Sequence, residues 1–268
     1  MFYLCCFNYG METTFFKYQG TGNDFVMIDN RKSLFPKDDY KLIAKLCDRR
    51  FGIGADGLIL LENDASTDFR MVYFNADGRE GSMCGNGGRC IVAFAKFLGI
   101  IDMNTTFMAV DGLHEATVTK DLVSLKMQNV TEIKSKTNSL FMDTGSPHHV
   151  QLVAGLKDVN VVKEGAKLRY GLYGESGSNI NFVQQDTPDS FSIRTYERGV
   201  EDETLSCGTG VTAVALGMHN SGKTKSNTVK VNALGGALEV SFDLEEGVYQ
   251  NIYLKGAAKQ VFKGEVSW

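Results

Sequence analysis

Proline is scarce, with three residues in 268, and no stretch holds the ~20 consecutive apolar residues that a bilayer-spanning helix needs. Basic residues do not cluster. Lys plus Arg number 28 against 32 Asp plus Glu, for a net charge of −4. The first absence argues against a membrane partner and the second against a nucleic-acid partner. None of the six cysteines stands in a Cys-x₂-Cys pair, so the usual zinc spacing is missing and no metal site is expected. Six thiols in a chain this long are also too few for a disulfide-stapled secreted scaffold. Residues 1–11 (MFYLCCFNYGM) are apolar but lack a basic start and a small-residue cleavage site. The expectation is a cytoplasmic protein with reduced thiols, in which residues 1–10 form a dispensable extension. Glycine is what abounds, at 29 residues. Without proline beside it, that points to tight turns and close backbone approach to a ligand.

Short runs of apolar and β-branched residues bounded by Gly, Asp and Asn predict strands at Phe15–Tyr18, Phe25–Asp29, Gly57–Glu62, Phe69–Asn75, Thr106–Ala109 and Glu115–Val118. In the second half the same signal marks Ser139–Asp143, Ile180–Gln185, Phe191–Tyr196, Val229–Val231, Leu238–Phe242 and Gln250–Lys255. Helical spacing predicts Lys37–Arg49, Arg89–Leu98 and Val211–His219. Cys47 falls on the apolar face of the first of these, and Cys90 six residues after Cys84; both read as core thiols.

The chain repeats itself. Cys84-Gly85-Asn86-Gly87 and Cys207-Gly208-Thr209-Gly210 each precede an apolar helical run, and Gly112 and Gly235 follow at equal distance. Upstream, Gly22-Asn23-Asp24-Phe25-Val26 echoes Ser178-Asn179-Ile180-Asn181-Phe182-Val183. The expected fold is α+β, with two pseudo-symmetric domains, 11–130 and 131–268, each a mainly antiparallel or mixed sheet wrapped around a central helix. The last strand is expected to pack back on the first domain.

A cysteine at a helix start faces backbone N–H groups that lack intrahelical partners. Those amides and the positive helix end favour a thiolate, so the thiol pKa is expected to fall. The same amides suit a carboxylate. One such device in each half places a thiol on either side of a junction site. That arrangement fits inversion at a carbon next to a carboxylate. One thiolate takes the α-proton, the opposite thiol delivers another to the far face, and the amides hold the charge growing on the carboxylate oxygens. No cofactor is required.

Several segments, in order, resemble the diaminopimelate epimerases: Gly22-Asn23-Asp24-Phe25, residues 51–57 (FGIGADG), residues 74–78 (FNADG), residues 84–90 (CGNGGRC), Gly145-Ser146-Pro147-His148, Asn179-Ile180-Asn181-Phe182, Tyr196-Glu197-Arg198-Gly199 and Cys207-Gly208-Thr209-Gly210. The resemblance implies a cofactor-independent isomerase interconverting LL- and meso-diaminopimelate, in lysine and peptidoglycan-precursor synthesis. It implies Cys84 and Cys207 as the two bases, and the amides of Gly85, Asn86, Gly208 and Thr209 around the reacting carboxylate. Glu197 would take the reacting ammonium and, with His148, tune the thiols. Asn23, Asn75, Asn181 and Arg198 would read the substrate, and a homodimer is implied by the same likeness. Many members carry Asn at the place of Ser146 and some Gln at that of Gly57. A proline or hydroxyproline racemase is the alternative within the chemistry, and a thiol redox or binding protein the alternative outside it.

Overall fold

A computed structural model describes residues 12–268 of the chain. The expected extension, with Cys5 and Cys6, lies outside the described residues. The fold is α+β. The first half runs β1 (Glu12–Gly20), β2 (Asn23–Asp29), α1 (Tyr40–Cys47), β3 (Gly57–Glu62), β4 (Phe69–Asn75), α2 (Gly85–Phe97), β5 (Asn104–Ala109), β6 (Gly112–Thr119) and β7 (Leu122–Lys126). After β8 (Lys134–Lys136) the second half runs β9 (Ser139–Asp143), β10 (Pro147–Leu152), α3 (Val161–Tyr173), β11 (Asn179–Thr187), β12 (Ser190–Glu197), β13 (Asp202–Thr204) and α4 (Gly208–Asn220). It closes with β14 (Thr228–Ala233), β15 (Gly236–Glu245), β16 (Val248–Ala257) and β17 (Lys259–Ser267).

The halves share one pairing scheme. From β1 to β7 the successive neighbours pair antiparallel, parallel, antiparallel, parallel, antiparallel and antiparallel. The series β9, β10, β11, β12, β14, β15, β16 repeats that order of senses. Each sheet curls around its own helix. Cys90, Ile91, Phe94 and Ala95 of α2 are buried among Tyr18, Phe25, Ile59 and Leu125, while Val211, Val214, Ala215 and Met218 of α4 are buried among Val150, Val183, Phe191 and Leu254. Two seams join the halves: β7 pairs with β16, and β17 crosses back to pair with β1.

The topology corrects the repeat drawn from sequence. In each half the first parallel pair sets Phe25 beside Gly57 and His148 beside Asn179. Gly22-Asn23 therefore corresponds to Gly145-Ser146, and Gly57 to Asn179. The resemblance between residues 22–26 and 178–183 is a coincidence of strand-entry composition, because both segments carry a turn glycine or serine and an Asn into a buried strand.

The helix expected at Lys37–Arg49 is shorter. The Asp39 side chain accepts from the Leu42 amide and starts it at Tyr40. Helix α3 was not anticipated, since it buries only Val161, Gly165 and Arg169 and carries Gly165 and Gly171 in its interior. Gly165 is there because the helix lies on Tyr196: a methyl at that position would stand 2.6 Å from the ring carbon Cγ. Strand β17 also gave no periodic signal, being exposed along most of its length.

Candidate active site

The two cysteine-led helices meet head to head. Cys84 and Cys207 stand at the N-caps of α2 and α4 in extended conformation, and the helices proper begin at Gly85 and Gly208. A methyl group added at Gly208 would lie 3.4 Å from the Gly85 Cα and 2.9 Å from Leu254 Cδ2. One added at Gly85 would lie 3.7 Å from the Gly208 Cα and 3.1 Å from the same Leu254 methyl. Two helix N-termini thus touch through bare glycine backbone over Leu254 of β16. Any side chain at either position would hold them apart. The positive ends of both helices are thereby brought together.

Each thiol has its own surroundings. Cys84 Sγ accepts from the Gly87 amide at 3.2 Å and lies 3.9 Å from Asn23 Oδ1 as donor. Cys207 Sγ lies 3.4 Å from the Thr209 hydroxyl, whose oxygen is 2.8 Å from His148 Nε2. Asn181 Nδ2 donates to His148 Nδ1 at 3.1 Å, which leaves Nε2 to carry the proton. The donor chain therefore runs from His148 through Thr209 to the sulfur. Burial holds the His148 pKa down at about 3, with the Arg198 charge acting in the same direction. His148 thus acts as a neutral imidazole, and its effect on Cys207 passes through Thr209.

The expected fall in thiol pKa is not what this structure gives. Burial, opposed by the Gly87 amide and reinforced by the Glu197 carboxylate, pushes Cys84 up to about 11. Burial and then Glu197 push Cys207 up to about 12, against the Thr209 hydroxyl. The helix ends do pull downward, but loss of water outweighs them. Burial first and the Glu197 carboxylate after it thus both favour the protonated form of each thiol. Burial likewise lifts Cys47 and Cys90 to about 12 each. The sign for stability follows. A thiol whose folded pKa exceeds its unfolded value of ~8.5 stabilises the fold fully below that value. The contribution is lost as pH rises toward 12, at up to ~1.4 kcal/mol per pH unit for each group. We expect the urea midpoint to fall clearly between pH 8 and pH 10.5, and to fall less in Cys47→Ala; an equal midpoint at both pH values would contradict the assignment.

Glu197 ends β12 and Arg198 follows it. Neither makes an ion pair among the described residues, although thirteen other such pairs occur. Burial, with a smaller push from Asp56, raises the Glu197 pKa. The Arg198 guanidinium donates to the Ser176 carbonyl at 2.8 Å and to Ser146 Oγ at 3.4 Å. Glu197 and Arg198 thus supply a carboxylate and a guanidinium without ion-pair partners among the described residues, chemistry that suits an ammonium and a carboxylate. Asn75, at the end of β4, is exposed. Asn23 Nδ2 donates to Asp56 Oδ2 at 2.6 Å, which turns its Oδ1 toward Cys84.

Two Asn residues differ from expectation. Asn181 is fully buried, donating to the His149 carbonyl and His148 Nδ1 and accepting from Thr195 Oγ1. Its amide is committed to holding His148 and presents no free edge to a substrate. Asn179, two residues earlier on the same strand face, is the one beside the site. Its Nδ2 donates to Ser146 Oγ at 3.0 Å and its Oδ1 accepts from the Arg198 amide at 2.9 Å. Strand alternation allowed either residue, and only the pairing with β10 selects between them. Asn86 is also buried. Its Nδ2 donates to the Ser206 carbonyl at 3.0 Å, so its backbone amide alone is available to a ligand. At Gly57, a methyl would stand 2.6 Å from Tyr73 Cε2, so the Tyr73 ring occupies the space over that glycine. Sequence reading assigned Tyr73 no role, named Ser146 only as a departure from the resemblance and Asn179 only within a motif; an Asn directly after a turn and two residues before a buried one was the available signal for Asn179.

The sequence pattern described as diaminopimelate epimerase matches residues 15–131 and 140–261. The chain is 63% identical over 250 residues to the diaminopimelate epimerase of Flavobacterium psychrophilum, covering 92% of this chain and 98% of that one. It is 44% identical over 259 residues to that of Chlorobaculum tepidum, covering 92% and 99%. Among solved structures, a Bacillus anthracis phenazine biosynthesis protein of the PhzF family superposes with a TM-score of 0.76 at 15% identity, over 96% of this chain and all of that one. A hydroxyproline epimerase from Agrobacterium vitis superposes at 0.69 and 15% identity, over 96% and 92%. These last two share the fold, whereas the sequence match spans both cysteine-led helices and every segment that lines their meeting point. The chain belongs to the diaminopimelate epimerase family.

Proposed function

We propose that this protein interconverts LL- and meso-diaminopimelate by two-base proton transfer without a cofactor, acting in the cytoplasm as a homodimer in lysine and peptidoglycan-precursor synthesis. The observation that supports the reading is the contact of Gly85 with Gly208, which brings together the two helix starts that have Cys84 and Cys207 at their N-cap positions. The substrate carboxylate takes the amides at the two helix starts. The ammonium neutralises Glu197, removing the charge that adds to burial in raising both thiols. One sulfur then accepts the α-proton while the other donates. Negative charge moves from the α-carbon to the carboxylate oxygens, where preorganised amides stabilise it. Arg198, unpaired by any carboxylate among the described residues, is the natural partner of the far carboxylate, supported by Ser146 and Asn179.

The test is incubation with diaminopimelate in D₂O, following the α-proton by NMR. Deuterium should enter at the α-carbon undergoing inversion. Trans-4-hydroxyproline and proline, which lack a second carboxylate, should exchange at least 100-fold more slowly. Faster exchange into either imino acid would favour the racemase alternative, and no exchange into any of them would favour a redox or binding role.

A further inference from the structure

Arg89 is a fully buried cation without an anion. The other two buried cations among the described residues have carboxylates: Lys17 pairs with Asp24 at 2.8 Å and Arg169 with Glu201 at 3.0 Å. Arg89 Nη1 donates to the Gly85 carbonyl at 3.2 Å, and Nη2 donates to Thr21 Oγ1 and Asn86 Oδ1 at 3.0 Å each. Its Nε is buried with no partner. Two glycines make the space: a methyl at Gly256 would stand 3.2 Å from Nε and one at Gly20 3.4 Å from Nη2. An uncompensated charge in such a place carries a desolvation penalty that its neutral partners do not offset.

The other half supplies a control. Thr212 occupies the position in α4 that Arg89 occupies in α2, five residues past the cysteine, and its hydroxyl donates to the Gly208 carbonyl at 3.1 Å. Satisfying that first-turn carbonyl therefore needs no charge. What the guanidinium adds is a positive centre one turn behind Cys84. It also adds a network across the seam, in which Asn86 reaches Ser206, next to Cys207, and Thr21 reaches Ser206 Oγ at 3.1 Å. The titratable groups around it are Cys84 and Cys90 on its own helix, with Glu197 acting on Cys84 from β12.

We propose that Arg89 is the resident counter-charge of the site, a positioning residue that stabilises the Cys84 thiolate and the carboxylate gathered at the α2 start while fixing Asn86 across the seam. The carboxylate part rests on the epimerase reading; the thiolate part does not.

The experiment reads alkylation of each thiol by iodoacetamide at pH 8.5, resolved by peptide mass spectrometry, with no substrate present. Arg89→Gln keeps hydrogen-bonding groups and removes the charge. It should slow Cys84 at least tenfold and leave Cys207 within threefold. Arg89→Lys keeps the charge and should hold Cys84 within threefold of the parent. An unchanged Cys84 in R89Q, equal slowing of both thiols, or R89K as slow as R89Q overturns the proposal. Should R89Q not fold, R89K decides by the same threefold limit. Loss of deuterium exchange in the parent enzyme would sink the epimerase reading and leave this result standing.

Discussion

Cys84→Ala and Cys207→Ala are each expected to lower epimerase turnover by a factor of at least about 10³, in the upper part of the range for a positioned acid or base. Inversion needs a proton removed on one face and delivered on the other, so either sulfur alone is insufficient. Each variant should keep half of the chemistry. With one sulfur left, an α-proton on its own face can still be taken and returned there, and in D₂O that exchange proceeds without inversion. The two variants should therefore label opposite stereoisomers. Chiral separation of the products alongside NMR checks both points, and inversion within tenfold of the parent in either variant would remove its sulfur from the mechanism. In turnover the coupled pair passes one thiolate between its members, so the double variant should lose exchange with both isomers.

Gly208→Ala is the second large effect. The added methyl would press on Leu254 Cδ2 at 2.9 Å and on the Gly85 Cα at 3.4 Å. Leu254 is fully buried and has little room to yield. Overpacking of this kind costs ~1–3 kcal/mol of stability, but the larger consequence is geometric. Holding the helix starts apart by a fraction of an ångström moves amides and sulfurs off the reacting centre, and a displacement near 1 Å can cost on the order of 10²-fold. Turnover should fall by about that factor, with a modest drop in thermal midpoint. Gly85→Ala, with clearances of 3.1 and 3.7 Å, should lose less. Activity of Gly208→Ala within twofold of the parent, or a greater loss in Gly85→Ala, would show that the contact does not set the site.

Much of this was readable in the chain. Gly85 and Gly208 each follow a cysteine and precede an apolar helical run, and a helix start of that composition leaves amides and a thiol together whatever the surrounding fold. The strands around Phe25, Leu58 and Val183 announced themselves because buried strands must be apolar. Strand β17 and helix α3 did not, since exposed or glycine-interrupted segments owe their form to what they lie against: β1 in one case and Tyr196 in the other.

The residue kinds at the two helix starts, and with them the family and its chemistry, belonged to local sequence, because capping and turn preferences act over a few residues. Which Asn faces the site, how burial overrides the helix ends on the thiols, and where an unpaired Arg89 sits were decided by packing. Those outcomes depend on strands brought together from far apart in the chain, and on the water that their closure removes.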